Sequence, residues 1–208
     1  MDDGTIVAVL GRNGAGKTTL LRAIMGLIPC RAGRIGIDGI DLTPLPAHQR
    51  ARLGLGYVPQ GREVFPSLTV MENLRMGARL APDPRAALTE VLDEFSLLRE
   101  KRDARGGSLS GGQQQLLALG RALASRPRVL LMDEPSEGIQ PSLVAQLAEH
   151  VRGIHARGLT VVLVEQNLEF AAALARQAYV MDKGRIVRAL ETAAILADRD
   201  LAREYLGV

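Results

Sequence analysis

The clearest chemistry in the sequence lies in GRNGAGKTT, Gly11 to Thr19. This stretch fits G-x-x-x-x-G-K-[ST], and the apolar run Ile6 to Leu10 leads directly into it, as a strand, a tight turn and a helix. Glycines let the backbone approach a polyphosphate, helix N–H groups supply positive potential, Lys17 adds a full charge, and Thr18 offers a hydroxyl to Mg²⁺. A glycine-rich turn that binds nothing would look similar locally, but so many constrained positions favour phosphate binding. The predicted phosphate-binding residues are Gly11, Arg12, Asn13, Gly14, Ala15, Gly16, Lys17, Thr18 and Thr19.

A pair of adjacent carboxylates, Asp133 and Glu134, follows the apolar run Val129 to Met132. Such a run is typical of a buried parallel strand, and ligands of open α/β sheets bind beyond the carboxyl ends of the strands. Two neighbouring carboxylates repel each other unless a cation or water separates their roles, which favours function over packing. A second buried strand, Thr160 to Val164, delivers Glu165 to Asn167 to the same edge.

A glycine-rich polar segment, GGSLSGGQQQ from Gly106 to Gln115, precedes an apolar helix that ends near Ser125. Ser110 is a suitable N-cap for that helix, so the segment taken alone could be only a capped helix. The N-terminus of a helix is nevertheless a second site that favours anions.

Composition sets the broad class of the protein. The 208 residues suffice for one domain with a real core, and 47% apolar with 24% charged residues is ordinary for a soluble globular protein. A net charge of +3 is too small to indicate nucleic acid, and the single cysteine, Cys30, excludes a disulfide within the chain or a cysteine-based metal cluster. No apolar run approaches the roughly 20 residues that cross a bilayer, and the start does not resemble a signal peptide. Any work at a membrane therefore needs another subunit.

Strands and helices alternate along most of the chain, which predicts a mainly parallel sheet covered on both faces. The predicted fold class is α/β with a P-loop NTPase core. Two helices predicted within residues 61–105 form a helical lobe inserted between strands, and a terminal hairpin turns at Asp182 to Gly184. A last helix is predicted from about Thr192 to Tyr205. The chain is thus expected to be a single domain, residues 1–208, with its core in residues 1–60 and 106–208.

The order of four motifs resembles the nucleotide-binding subunit of ABC transporters: the phosphate loop, Gln60, LSGGQ (Leu109 to Gln113) and the Asp133-Glu134 strand. The resemblance covers essentially the whole chain. It implies an ABC-type nucleotide-binding domain that hydrolyses ATP with Mg²⁺, and a head-to-tail dimer in which two ATP molecules lie between the phosphate loop of one copy and the LSGGQ of the other.

Roles follow from this resemblance residue by residue. It implies that Thr18 and Gln60 ligate Mg²⁺, that Asp133 supports the metal through water, and that Glu134 is the general base for the attacking water. A further catalytic position falls on Gln166. The residues implied to bind the partner's γ-phosphate in trans are Ser110, Gly111, Gly112 and Gln113. In-line attack on a γ-phosphoryl group needs neutralised charge and an aligned water, which agrees with these roles.

The implied partners are integral membrane permease subunits, one of which would insert a coupling helix at residues 61–105, and a second ATPase subunit, identical or homologous. A periplasmic solute-binding protein would act indirectly, no nucleic acid is expected, and the location is the cytoplasmic face of the bacterial inner membrane. Longer stretches, Tyr57 to Leu74, Asp133 to Val144 and Leu163 to Phe170, resemble importers of branched-chain amino acids, most closely those for urea or short-chain amides. The urea prediction rests on resemblance alone, and the branched-chain amino acid importer is the alternative.

Three departures from the family pattern stand out. Most relatives have a histidine at the position of Gln166; glutamine can orient a phosphate but cannot carry charge. Gln140 replaces an aspartate that signals across the dimer. Related domains also carry two strands and an adenine-stacking aromatic before the phosphate-loop strand, whereas four residues precede Thr5 here. We therefore expect a truncated or mis-started chain, lacking a stacking contact worth about 1–3 kcal/mol.

Two other classes share these motifs. DNA-repair and chromosome-structural ATPases have the phosphate loop and LSGGQ, but usually insert long coiled coils or zinc modules between them. ABC proteins that act on ribosomes normally carry two nucleotide domains in one chain. A short helical lobe and 208 residues favour the transporter subunit over both.

Overall fold

A computed structural model describes residues 2–206, without the side chain of Glu204. Its main sheet has six strands in the spatial order β4-β5-β6-β1-β7-β8. The strands are β1 Ile6–Leu10, β4 Leu55–Val58, β5 Val129–Asp133, β6 Thr160–Glu165, β7 Gln177–Asp182 and β8 Arg185–Glu191. All neighbours run parallel except the terminal hairpin β7–β8, so the predicted mainly parallel sheet and hairpin are confirmed.

Strand register brings the predicted functional residues to one edge of the sheet. Leu10, the last residue of β1, pairs with Glu165 at the end of β6, and Asp133 at the end of β5 pairs with Val164. Because parallel strands share one carboxyl edge, the loops after β1, β5 and β6 emerge side by side there.

Helices cover the sheet on both faces. They are α1 Lys17–Met25, α2 Ala47–Arg52, α3 Val70–Ala78, α4 Pro84–Glu94, α5 Ser96–Glu100, α6 Gly111–Leu123, α7 Pro141–His155, α8 Leu168–Leu174, α9 Thr192–Ala197 and α10 Arg199–Leu206. Successive side chains of β5 point to opposite faces of the sheet, and this accounts for a helix layer on each face. Leu131 packs in the hydrophobic cluster that contains Leu21 of α1, whereas Leu130 packs in the cluster that contains Leu117 of α6. Within residues 2–206, no helix combines the length and apolar character needed to cross a membrane.

The helical lobe contains three helices, α3 to α5, rather than the two predicted. The spacing of Leu88, Val91, Leu92, Phe95 and Leu98 predicts one continuous amphipathic helix, but α4 ends at Glu94. The extended backbone of Phe95 (φ −114°, ψ 84°) separates α4 from α5. Phe95 itself is buried in the core, and its ring centroid lies 4.5 Å from that of His150 in α7, so the break lies at a residue whose side chain the core holds in place. At Gly77, a Cβ atom would lie 1.9 Å from the carbonyl oxygen of Arg121, so glycine lets α3 pack directly on α6.

Two shorter predictions also need correction. The last helix is divided at Asp198, whose carboxylate accepts hydrogen bonds from the N–H groups of Asp200 and Leu201 and so starts a new helix. The alternating stretch Arg34 to Asp38 predicts one short strand, but the structure has a small hairpin here, β2 Gly36–Ile37 and β3 Ile40–Asp41. Its turn is formed by Asp38 and Gly39, which both have positive φ, as tight hairpin turns require.

Candidate functional site

The loop between β1 and α1 forms a pocket of about 250 Å³ at the carboxyl edge of the sheet. Gly14 and Gly16 have φ of +81° and +105°, a conformation that favours glycine. Lys17 is 3% exposed, and its ammonium donates to the carbonyl oxygens of Gly11 (2.6 Å) and Arg12 (3.1 Å). The pocket is lined by Asn13, Gly14, Gly16, Lys17, Thr18, Thr19, Gln60 and Glu134.

This loop also suits the approach of a polyphosphate. A Cβ atom on Gly14 would meet no heavy atom within 4 Å, so the loop is open on that side. A Cβ on Gly11 would lie only 2.4 Å from the carbonyl oxygen of Met181, so glycine is needed there to seat the loop against β7. Open N–H groups at a helix start, together with a buried ammonium, form an anion site.

Glu134 lies at the centre of the site. Its Oε1 is 2.8 Å from the ammonium of Lys17, and its Oε2 accepts a hydrogen bond of 3.2 Å from the side-chain amide of Gln60. Gln60 also donates to Glu137, at 2.9 Å. Glu134 is 9% exposed and has φ +46°, an uncommon conformation for a residue with a Cβ atom. The structure therefore brings together Lys17, Gln60 and Glu134, three of the candidate site residues named from the sequence.

Asp133 is fully buried beside the start of α1. It accepts hydrogen bonds of 3.0 Å from the hydroxyl of Thr18 and 3.0 Å from that of Tyr57. Burial raises the pKa of Asp133, the two hydroxyl donors oppose that rise, and the neighbouring Glu134 adds to it. Burial and Asp133 in turn raise the pKa of Tyr57. A cation bound beside Asp133 would oppose the effect of burial, because it favours the charged form of the carboxylate.

The oxygen donors here fit Mg²⁺. In the described residues, no cluster of three or more His, Cys, Asp or Glu side chains could hold a metal alone. Mg²⁺ does not need such a cluster, because it usually binds through one or two carboxylates, substrate phosphates and water. The hydroxyl of Thr18 and the carboxylate of Asp133, already in contact, are hard donors of this kind.

The LSGGQ segment lies apart from this pocket. Ser110 caps α6: its hydroxyl accepts from the N–H of Gln113 (3.4 Å), and the Gln113 side chain accepts from the N–H of Ser110 (3.1 Å). Gly112 packs closely on Leu143: a Cβ atom added to Gly112 would lie 2.2 Å from a methyl carbon of Leu143. Of the residues described, none in 109–113 lines the phosphate-loop pocket.

Gln166 also points away from the pocket. Its side-chain amide donates to the carbonyl oxygen of Leu206 in α10, at 3.2 Å. Arg12 contacts the same helix, donating to the carbonyl oxygen of Arg203 at 2.8 Å. The structure thus groups the phosphate loop, Gln60, Asp133 and Glu134, and leaves Gln166 and residues 110–113 outside that group.

Three side chains at this edge have no role in the interpretation from the sequence. Tyr57 binds Asp133, Glu137 binds Gln60, and the buried Glu165 accepts three backbone hydrogen bonds. Glu165 follows a buried apolar run in the same way as Asp133 does, and that signal could have singled it out. The sequence holds no comparable signal for Tyr57, because its partner lies on the neighbouring strand.

Comparisons with known proteins agree with this geometry. A family model described as ABC transporter matches residues 1–137. The branched-chain amino acid transport ATP-binding protein BraG of Pseudomonas aeruginosa is 43% identical over 206 residues, covering 98% of this chain and 88% of BraG. The lipopolysaccharide export system ATP-binding protein LptB of Escherichia coli K12 is 36% identical over 212 residues, covering 100% of this chain and 88% of LptB.

Solved structures give the same result for the fold. A nucleotide-free ATP-binding cassette from an ABC transporter matches with a TM-score of 0.85 at 26% identity, covering 96% of this chain and 87% of its own. The ADP conformation of the cassette MJ1267 matches with a TM-score of 0.84 at 27% identity (99% and 89% covered). A dimeric post-hydrolysis state of the cassette MJ0796, bound to ADP and Pi, matches with a TM-score of 0.83 at 25% identity (92% and 87% covered). The predicted fold class is confirmed.

Proposed function

Because the chain belongs to the ABC transporter family and hydrolyses ATP, we propose that it is the energising subunit of an importer for branched-chain amino acids. The observation that carries its role as the energising subunit is the buried contact of Lys17 with Glu134 at the mouth of the phosphate-loop pocket, joined there by Gln60. Lys17 can bind a phosphate, Glu134 can accept a proton from water, and Gln60 can ligate a metal through its side-chain oxygen, and these three side chains lie together.

The proposed reaction uses these groups in turn. The phosphates of ATP occupy the loop of residues 11–19 and replace Glu134 as the anionic partner of Lys17. Glu134 then takes a proton from a water molecule while the oxygen of that water bonds to the γ-phosphorus. The bond between the γ-phosphorus and the oxygen that bridges it to the β-phosphate breaks, and ADP and phosphate leave. Thr18 and Gln60 would hold Mg²⁺, with Asp133 supporting it through water. Bound Mg²⁺ supplies charge neutralisation on the phosphate oxygens.

A second copy, or a homologous ATPase subunit, is proposed to complete each site. The start of α6, a helix of 13 residues, offers the N–H groups and dipole of an anion site at Ser110 to Gln113. Those residues lie outside the pocket of their own chain, which supports their use by a neighbouring chain. The related MJ0796 cassette, described as a dimer with ADP and Pi, supports the same arrangement. Gln166 is retained as a proposed orienting residue that would have to leave Leu206 to act.

The proposed permease contact is an apolar groove of about 320 Å³ between α2, β4 and the helical lobe. Its lining includes three large side chains that are exposed despite being apolar, Phe65 (42%), Met76 (44%) and Leu80 (44%). Exposed apolar surface in a groove favours a partner helix. The proposed domain organisation, with residues 61–105 as the lobe of one nucleotide-binding domain, places this groove where the lobe meets the core.

The cargo is proposed from relatives and not from the site. BraG, at 43% identity, is described as serving branched-chain amino acids, and none of the relatives reported above is described as serving urea. The order of the two cargo predictions is therefore reversed here, and urea or a short-chain amide becomes the alternative. Location at the cytoplasmic face of the inner membrane, and indirect action of a periplasmic binding protein, belong to the same proposal.

Reconstitution tests the function. The chain is combined in liposomes with permease subunits and a solute-binding protein encoded beside it, and ATP hydrolysis is measured with leucine or urea present. Stimulation by leucine is the expected result, and stimulation by urea alone would select the alternative. Hydrolysis that responds to DNA instead of the permease would overturn the transport function.

A further inference from the structure

Glu165 is a buried acid that ties two loops together. Glu165 is the last residue of β6 and is only 2% exposed. Oε1 accepts a hydrogen bond from the N–H of Ser136 (2.9 Å), and Oε2 accepts from the N–H groups of Gln166 (3.1 Å) and Asn167 (3.2 Å). One carboxylate therefore joins the loop that leaves β5 to the loop that leaves β6.

The first of these loops, residues 134–138, contains Glu134, which lines the nucleotide pocket. It begins with Glu134, whose left-handed backbone is costly for a residue with a Cβ atom and persists only where other contacts fix it. It continues with Glu137, which binds Gln60, and ends with Gly138, whose carbonyl oxygen accepts from Arg62. Ser136 lies between these contacts, so holding its N–H group holds the loop from the side of the sheet.

The hydrogen bonds of Glu165 come mainly from backbone. In the described part of the chain, no Lys, Arg or His forms an ion pair with it; three backbone N–H groups donate to its carboxylate, and the Ser136 side chain adds a further interaction with it. Burying a carboxylate is expensive unless it is hydrogen-bonded, and an apolar side chain of similar size would fill the same space. An apolar side chain would, however, leave these N–H groups unpaired. The carboxylate of Glu165 therefore fixes the backbone of the two loops, which an apolar side chain would not do.

We propose that Glu165 is a positioning residue for ATP hydrolysis, which holds the loop of residues 134–138 so that the Glu134 carboxylate stays at the mouth of the pocket. The inference rests on the proposed role of Glu134 as the general base. Nucleotide binding depends mainly on residues 11–19, whereas the carboxylate hydrogen bonds given above join Glu165 to Ser136, Gln166 and Asn167, so the loss of Glu165 is expected to affect the chemical step more than affinity. A misplacement of about 1 Å in a reacting group can cost on the order of a hundredfold in rate.

The test compares Glu165→Gln with Glu169→Gln, which changes an exposed carboxylate on the adjacent helix α8. The glutamine variant keeps the size of the side chain but turns an accepting oxygen into a donor that faces N–H groups. We expect its kcat to fall about ten- to a hundredfold, with the KM for ATP and the Kd of a fluorescent ATP analogue changed less than about threefold. Amide exchange of a peptide covering 134–138 should accelerate, while that of 11–19 should not. The control should match the unaltered protein in all of these.

Three results would overturn the proposal: an unchanged kcat, a fall in kcat without faster exchange at 134–138, or a parallel loss of nucleotide affinity that marks general unfolding. If Glu165→Gln does not fold, Glu165→Asp, which keeps the charge and withdraws the oxygens by one methylene, is expected to show the same separation of kcat from affinity. Failure of the proposed function is distinguishable, because it would appear as Glu134→Gln retaining turnover, whereas the exchange measurement reports on Glu165 without any hydrolysis.

Discussion

The ammonium of Lys17 lies 2.8 Å from the carboxylate of Glu134, and the two side chains are only 3% and 9% exposed. A buried charge needs a partner, and each of these groups satisfies the other. In the proposed reaction, a polyphosphate replaces Glu134 as the partner of Lys17 and leaves Glu134 with Gln60 and water. The contact between the two side chains thus holds the proposed base beside the position where the proposal needs it.

Replacing Lys17 by alanine should weaken ATP binding. Charge-assisted hydrogen bonds contribute about 1.5–3 kcal/mol, which corresponds to a loss of affinity of roughly 10- to 150-fold. Titration with a fluorescent ATP analogue measures this, with Lys101→Ala, at an exposed position on the helical lobe, as the control. An affinity within twofold of the unaltered protein would remove Lys17 from the phosphate site.

Replacing Glu134 by glutamine should separate binding from turnover. The amide keeps the size of the side chain but takes no proton from water, so kcat is expected to fall by about 10² to 10⁴ while ATP still binds. A dimer held by unhydrolysed ATP should then persist on size-exclusion chromatography. Glu149→Gln, an exposed substitution on α7, is the control. Normal turnover in Glu134→Gln would exclude Glu134 as the base.

Complementation between two inactive chains tests the shared site. Ser110→Arg should block the anion site at the start of α6, and Lys17→Ala should disable the phosphate loop. A mixed dimer of the two variants has one site in which both defects meet and one site with neither. We expect ATPase activity to appear on mixing, although each variant is inactive alone. Ser108→Arg, at a nearby exposed serine, controls for the added charge. A mixture no more active than its components would indicate that each chain works alone.

Much of this site could be predicted because local sequence determines it. The phosphate loop needs glycines at fixed spacing, and the buried strands Val129–Asp133 and Thr160–Glu165 deliver their acids to the same edge. The missed features depend on contacts between distant segments. Glu165 binds Ser136 across the sheet edge, and Phe95, at the break between α4 and α5, packs its ring against His150 of the distant helix α7. The spacing of apolar residues along one helix does not show which distant segment of the chain packs against it.

Glu94 should make stability depend on pH, at a place remote from the nucleotide pocket. Burial disfavours its charged form, but hydrogen bonds from His150 (2.9 Å) and Arg157 (2.7 Å) outweigh that effect, so the pKa of Glu94 lies below its ordinary value of 4.5. A lowered carboxyl pKa stabilises the fold above the ordinary value, and this contribution is lost as pH falls through the lowered pKa. Glu94→Gln should therefore lower the free energy of unfolding at about pH 7, and the difference should shrink towards about pH 3. Urea denaturation at both pH values measures it, with Glu100→Gln, an exposed position, as the control. A difference that does not change with pH would contradict the assignment.

Placing a charge in the apolar groove should separate ATP binding from transport. Leu80 is 44% exposed in the groove, whereas Leu196 is 51% exposed outside it, so the two residues form a matched pair. Leu80→Asp puts an ion where a permease helix would have to exclude water, and desolvating an unpaired carboxylate is costly. We expect this variant to lose co-purification with the permease and cargo-stimulated hydrolysis, while its affinity for ATP stays unchanged because the groove lies apart from residues 11–19. Leu196→Asp should keep both properties. Equal loss in the two variants would indicate a general effect of surface charge, and full retention in Leu80→Asp would place the permease on another face.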